Sequence, residues 1–220
     1  MSEKSARFDA VLWDFGGVIT SSPFEAFNLY EKDNGLPENF IRGINARDPD
    51  TNAWARFERS EIDAAQFDTA FLAEAEAQGH SVPGSEVLAL LAGTIRPEMV
   101  AILHGLKARA YRIGCITNNV NTGTGAGMAR SADKAAEVAE VMALFAHVVE
   151  SSKVGLRKPD PAIYQMACEA LDVAPEKCVF LDDLGINLKP AKMLGMGTIK
   201  VTGAAQAIAD LSALLGHDLP

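Results

Sequence analysis

Short apolar runs alternate with helical stretches along most of this chain, and few folds admit that pattern. The runs are Ala10-Val11-Leu12-Trp13, Tyr111 to Ile116, His147 to Val149, Lys177 to Leu181 and Thr198 to Val201. Helical patterns fill the gaps: Pro97 to Ala108, about Asp133 to Phe145 with Ser131 as a possible N-cap, Asp160 to Leu171, Asn187 to near Gly195, and Ala204 to Leu215. Pro97 and Pro161 stand at first helical positions, and Gly195 is placed as a C-cap. Strands alternating with helices imply a parallel α/β sheet with right-handed crossovers.

One long stretch breaks the alternation. Between the first run and Pro97 no buried strand is evident, only short helices. Ser22 and Pro23 start a helix whose apolar side carries Phe24, Phe27 and Leu29-Tyr30, and Gly35 ends it. Trp54 and Phe57 follow at i, i+3, then Phe67, Phe71 and Leu72 at i, i+4, i+5. The expected organisation is a core domain of residues 1–20 and 98–220, with residues 21–97 inserted as a helical cap. The length of 220 residues accommodates a core with such an insertion, and an apolar share of 48% is that of a globular chain.

A formal charge of −9 argues against nucleic acid or an anionic membrane as partner, because phosphates would be repelled. A small phosphorylated metabolite remains compatible, since a local site can be positive inside an acidic protein. The N-terminal MSEKSARFDA lacks the apolar run of a signal peptide, and no window reaches the ~18 apolar residues of a membrane span. Cys115, Cys168 and Cys178 lie in apolar surroundings without C-x-x-C spacing. They read as reduced, buried thiols, which suits a cytoplasmic protein and makes a zinc site unlikely. Oligomeric state is not encoded in any visible feature.

Polar clusters stand at the ends of successive runs or on the loops beyond them: Asp14, Thr117-Asn118, Lys158 and Asp182-Asp183. Taken singly, each has a plain alternative. Asp14 can be a strand-ending acid in a turn, Thr117-Asn118-Asn119 turn chemistry, and Asp182-Asp183 a helix cap. Lys153, Arg157 and Lys158 can be a solvated face. In a parallel sheet, however, those ends share one edge, where ligands bind. Converged there, they supply the tools of phosphoryl transfer. Asp14 can attack phosphorus. Asp14, Asp182 and Asp183, with a backbone carbonyl near Gly16, offer the hard oxygens that Mg²⁺ prefers. Thr117 and the amide of Asn118 can donate to phosphate oxygens, and Lys158 adds a compact positive charge.

With WDFGGVIT around Asp14, CITNN around Thr117, SSKVGLRKPDPAIY around Lys158 and VFLDDLGINLKPA around Asp182-Asp183, the chain resembles the haloacid dehalogenase superfamily, in its phosphatase branch with a cap after the first strand. The third stretch, and ARFERSEI in the cap, are similar to the phosphatase-like domain of soluble epoxide hydrolases and to bacterial sugar-phosphate phosphatases. The resemblance implies a Rossmann-like, doubly wound core and a Mg²⁺-dependent aspartyl-phosphate mechanism. It assigns Asp14 as nucleophile, Thr117 and Asn118 to phosphate, and Lys158 to its stabilisation. Asp183 becomes the direct metal ligand with Asp182 near it, and Asn187 orders that loop.

The chain departs from the family pattern at Gly16. Most family phosphatases carry there a second aspartate, which protonates the leaving group and then activates water. Such acid–base catalysis is worth roughly 10²–10⁴-fold. A good leaving group, a water, or a cap acid such as Glu58 or Glu61 can substitute. The expected function is therefore a phosphomonoesterase of a small, sugar-phosphate-like organic phosphate, slowed or modified at Gly16. A weak or inert phosphate-binding module is the alternative. Displacement at carbon, as in haloacid dehalogenases, is a third reading, against which the Asp182-Asp183 pair argues. Asp14-Phe15-Gly16 echoes a kinase triplet but has no room upstream for a kinase domain. Gly123-Thr124-Gly125-Ala126-Gly127 has the wrong spacing for dinucleotide binding. His80, His104, His147 and His217 form no metal-binding motif.

Overall fold

The computed structural model describes residues 8–120 and 132–219. Its strands are β1 (Ala10–Trp13), β2 (Arg112–Thr117), β3 (His147–Glu150), β4 (Cys178–Asp182) and β5 (Gly197–Lys200). All pair in parallel, in the order β3-β2-β1-β4-β5. Successive strands run outward from β1 to one edge, and then from β4 to the other. The point where strand order reverses is therefore the β1/β4 junction, outside whose carboxyl ends such sheets bind ligands.

β1 is central and wholly buried, which explains its unbroken apolar run. Its side chains still alternate. Val11 and Trp13 enter one core with α6 (Pro97–Ala108), α7 (Ala132–Met142) and α11 (Ala204–Leu215). Ala10 and Leu12 enter the opposite core with α9 (Pro161–Leu171) and α10 (Gly185–Met193). Asp160 caps α9, its side chain accepting from Ala162 N at 2.9 Å, with Pro161 at the first helical position. Cys115, Cys168 and Cys178 are buried free thiols, as expected. Among the described residues, no helix is long and apolar enough to cross a membrane.

Between β1 and α6 the chain forms α1 (Pro23–Asp33), α2 (Phe40–Ala46), α3 (Ala53–Glu58), α4 (Ala64–Glu76) and α5 (Gly84–Ala89). These helices enclose a third core of Phe27, Ile41, Phe57, Phe67, Phe71 and Val87, into which Val120 reaches from beyond β2. Phe67 is its hub, stacked on Phe57 at 4.8 Å and 5.5 Å from both Trp54 and Phe71. Gln66 and Asp63 form a reciprocal capping box at the start of α4. The chain departs and returns side by side. Ser21 N donates to Thr94 O at 2.8 Å, Thr94 N to Ser21 Oγ at 3.0 Å, and Thr20 bridges Ile95 antiparallel. A Cβ on Gly93 would lie 2.8 Å from Ser21 O, so only glycine fits that crossing.

Several sequence expectations shift. Leu29 is 59% exposed rather than on the buried side of α1. Glu31 is buried in its place, because its carboxylate accepts the backbone N–H groups of Asn39 and Ile41 where α2 begins. β2 lies one residue later than expected, α7 ends at Met142, and α10 begins two residues early, at Gly185. A short helix, α8 (Ser151–Val154), follows β3 without a periodic signal. The expected Asn121–Gly127 loop and the Ser131 cap lie outside the described residues.

Candidate active site

The register of the sheet brings the sequence clusters together. Trp13 pairs with Leu181 on β4 and with Cys115 on β2. One step further, Asp14 leaves β1 level with Asp182, and its N–H donates to Leu181 O at 2.8 Å. Thr117 ends β2 on the same sheet edge. Asp14 Oδ1 accepts from Phe15 N at 2.7 Å and from Lys158 Nζ at 2.8 Å. Among the described residues nothing donates to its other oxygen, Oδ2, so one lone-pair face of this carboxylate is free to react or to bind.

Lys158 comes from the loop between α8 and α9 and is 1% exposed. Its ammonium sits between two carboxylates, 2.8 Å from Asp14 Oδ1 and 2.8 Å from Asp182 Oδ2. Burial alone would strip its proton, but Asp14 and Asp182 outweigh burial and hold the proton more tightly than in a free lysine. Asn118 fixes the backbone of Lys158. Its Oδ1 accepts from Lys158 N at 2.8 Å and its Nδ2 donates to Lys158 O at 3.0 Å. The Asn118 side chain is thereby engaged with Lys158, and the neighbouring Thr117 is buried. Asn119 binds α8 through Ser151 and Ser152.

The two adjacent acids behave differently. Asp182 is fully buried and its oxygens are engaged: Leu184 N donates to Oδ1 at 2.8 Å, Lys158 to Oδ2, and Asn187 Nδ2 to both at 3.1 Å. Asp183 is half-buried and accepts one weak bond from Ser22 Oγ at 3.3 Å. Burial, with Asp182 beside it, pushes Asp183 up to about 6. Burial likewise raises Asp14, reinforced by Asp182 and Asp183 against the pull of Lys158.

Asp14, Asp182 and Asp183 each bring one oxygen within 4.8 Å of the others. Three carboxylates thus face one ammonium, an excess of negative charge that a hard divalent cation neutralises. The two glycines divide the remaining space. Gly17 has φ +77°, and a Cβ on it would lie 2.2 Å from Asp183 Oδ2. Its close approach, as well as its turn, requires glycine. A Cβ on Gly16 meets nothing within 4 Å.

The helical insertion reaches the same place. Glu58, buried at the end of α3, accepts from Arg157 Nε at 2.6 Å, Trp54 Nε1 at 3.0 Å and Asn118 Nδ2 at 3.4 Å. Burial raises it against the pull of Arg157. Arg157 Nη1 donates to Pro49 O at 2.6 Å, and Ser60 Oγ to Ser152 O at 2.8 Å. Glu61, the other candidate cap acid, is exposed and paired with Arg59 at 2.6 Å. Sequence reasoning did not single out Arg157 or Ser22 for the site. Their partners lie 99 and 161 positions away, and no local pattern marks such pairs.

The fold recurs in known proteins. A family profile for haloacid dehalogenase-like hydrolases matches residues 8–195. The chain is 34% identical to acyl-CoA dehydrogenase family member 10 of Mus musculus over 96% of its own length, but spans only 20% of that protein. It spans 39% or less of the other mammalian relatives it matches. Sesquiterpene phosphatase astK of Aspergillus oryzae is 26% identical and covered over 97% of its length, against 95% of this chain. Among solved structures, a haloacid dehalogenase family enzyme of Bacteroides thetaiotaomicron, in complex with magnesium and inorganic phosphate, superposes with a TM-score of 0.59 at 20% identity. That match covers 93% of this chain and 98% of the other. With sheet order, strand-end carboxylates and family profile in agreement, this chain belongs to the haloacid dehalogenase-like hydrolases.

Proposed function

We propose that this chain is a magnesium-dependent phosphomonoesterase acting on a small organic phosphate, with Asp14 as nucleophile. One observation carries the reading. Lys158 holds one oxygen of Asp14, the other, Oδ2, has no donor among the described residues, and Asp182 holds Lys158. The nucleophile is thereby aimed, with a fixed positive charge beside it. Asp14 Oδ2 attacks phosphorus and an aspartyl-phosphate forms as the leaving group departs. Thr117 Oγ1 and the Asn118 backbone N–H donate to phosphoryl oxygens, and Lys158 offsets their charge. Water then releases phosphate from Asp14.

Asp14, Asp183 and the Gly16 carbonyl would hold Mg²⁺, with Asp182 beside them, and the bound ion would neutralise charge on the transferring phosphoryl group. In this reading Asp182 serves mainly to position Lys158. Residues 21–97 act as the cap, joined to the 1–20 and 98–220 core at the Ser21–Thr94 crossing. The buried free thiols suit a cytoplasmic setting.

Gly16 supports a second reading, a phosphate-binding module with little turnover. Phosphate release from a panel of phosphorylated metabolites, with magnesium and with a chelator, separates the two. Magnesium-dependent release that Asp14→Asn abolishes supports the enzyme. Release no faster than from Asp14→Asn refutes it.

A further inference from the structure

If the site is a phosphatase, as proposed above, one proton has no carrier among the described residues. An alkyl phosphate expels an alkoxide almost as basic as hydroxide, whose conjugate acid, water, has a pKa of about 15.7. Expelling it requires a general acid. At Gly16 there is open space and no side chain. The neighbouring groups are engaged. Asp182 accepts from Lys158, Asn187 and Leu184. Asp183 is assigned above to hold Mg²⁺, which takes the place of a proton on it. Glu58 accepts from three donors, Trp54 on Oε1 and Arg157 and Asn118 on Oε2, so both of its oxygens are already taken up by protein groups. Lys158 is held by two carboxylates, and Tyr164 donates its hydroxyl to Asn187 O at 2.7 Å.

Histidine does not fill the gap either. His80 packs on Phe40 and His217 pairs with Tyr111. His147 opens β3 at the opposite end of the sheet, and His104 is exposed on α6. Residues 121–131 contain no Asp, Glu or His in their sequence.

We propose that the substrate is an activated phosphate, an acyl, enol or aryl phosphate, whose leaving oxygen departs as a stabilised anion. Asp14 Oδ2 forms its bond to phosphorus while the bond from phosphorus to the leaving oxygen breaks. That bond's electron pair goes to the leaving oxygen, which takes no proton from the protein. Carboxylic acids ionise near about 4 and phenols near about 10, far below an alcohol. In the second step water adds to phosphorus, the bond to Asp14 breaks, and the water proton passes to a phosphoryl oxygen or to solvent. Asp14 is itself a carboxylate leaving group, so this step lacks only a base. It limits turnover, and the aspartyl-phosphate accumulates.

The test uses three phosphates on one carbon ring, 4-nitrophenyl, phenyl and benzyl phosphate, with acetyl phosphate as the acyl member, all with magnesium. In the wild type kcat/KM should fall at least 10²-fold from 4-nitrophenyl to benzyl phosphate, and 4-nitrophenyl phosphate should give a stoichiometric burst. Gly16→Asp, for which the structure has room, should raise the benzyl arm by roughly 10²–10⁴-fold and flatten the series. Equal kcat/KM for phenyl and benzyl phosphate in the wild type overturns the proposal. So does a folded Gly16→Asp that leaves the spread unchanged. Release from no member, with Asp14→Asn indistinguishable, overturns the phosphatase reading itself and this proposal with it.

Discussion

Gly17→Ala offers the most direct test of how the acidic cluster is built. At φ +77° any residue with a Cβ incurs about 1–2 kcal/mol. The added Cβ would stand 2.2 Å from Asp183 Oδ2 and 2.5 Å from its Cγ. Carbon contacts relax only near about 3.5 Å, so the carboxylate must retreat by about 1 Å. Overpacking of that kind costs about 1–3 kcal/mol. Together the two effects predict a loss of about 2–5 kcal/mol, at roughly 2–4 °C of melting temperature per kcal/mol for a chain of this size. Because Asp183 is displaced, magnesium affinity should fall roughly 10–100-fold, and turnover by about 10²-fold. Thermal unfolding with and without magnesium reads the first effect, and calorimetric titration with magnesium the second. Gly16→Ala is the internal comparison. Its Cβ meets nothing within 4 Å and its φ lies outside the left-handed region, so its stability should stay within about 0.5 kcal/mol of wild type. Wild-type melting and wild-type magnesium affinity in Gly17→Ala would refute this account of the cluster.

Four further outcomes are expected. Lys158→Met leaves Asp14 and Asp182 buried without their shared ammonium, and should cost about 3–5 kcal/mol in a urea titration and abolish phosphate release. Asp183 titrates near 6 because of burial and Asp182, and a metal ion must displace its proton; magnesium affinity should therefore fall up to tenfold per pH unit below that value, measured calorimetrically. In magnesium-free protein the sign reverses: the folded pKa exceeds the unfolded one, so stability from this group is present at low pH and lost as pH rises through about 6. A double-mutant cycle on Glu58→Gln and Arg157→Met should give a coupling of about 0.5–3 kcal/mol, and additivity would mean that the pair does not join the insertion to the sheet.

The core was legible because its physics is local. A fully buried central strand must be apolar throughout, so Ala10 to Trp13 announced itself, and a parallel sheet gathers strand ends whatever lies between them. Asp14, Thr117 and Asp183 were grouped as one candidate site that way, with Lys158 from a loop beyond a strand. The division of labour between Asp182 and Asp183 was less legible, since adjacent residues on a strand end point in opposite directions. One turns into the core toward Lys158 and Asn187, the other toward Gly17 and Ser22. Glu58 was visible as an acid near the site, but its pairing with Arg157 spans 99 positions and follows only from how the insertion folds back. Leu29 and Glu31 exchanged places for a similar reason. The start of α2 needed a buried acceptor, and that need outweighed helical periodicity.

The crossing of Ser21 and Thr94 makes the helical insertion a detachable module. Its two ends are hydrogen-bonded neighbours, so the sheet experiences the excursion as a single closed loop of zero span. Loop-closure entropy grows only slowly with length, and a domain inserted between adjacent ends strains neither partner. An insertion of another length can be accommodated at this joint, provided that it re-forms the contacts of Ser22 with Asp183, Glu58 with Arg157 and Ser60 with Ser152.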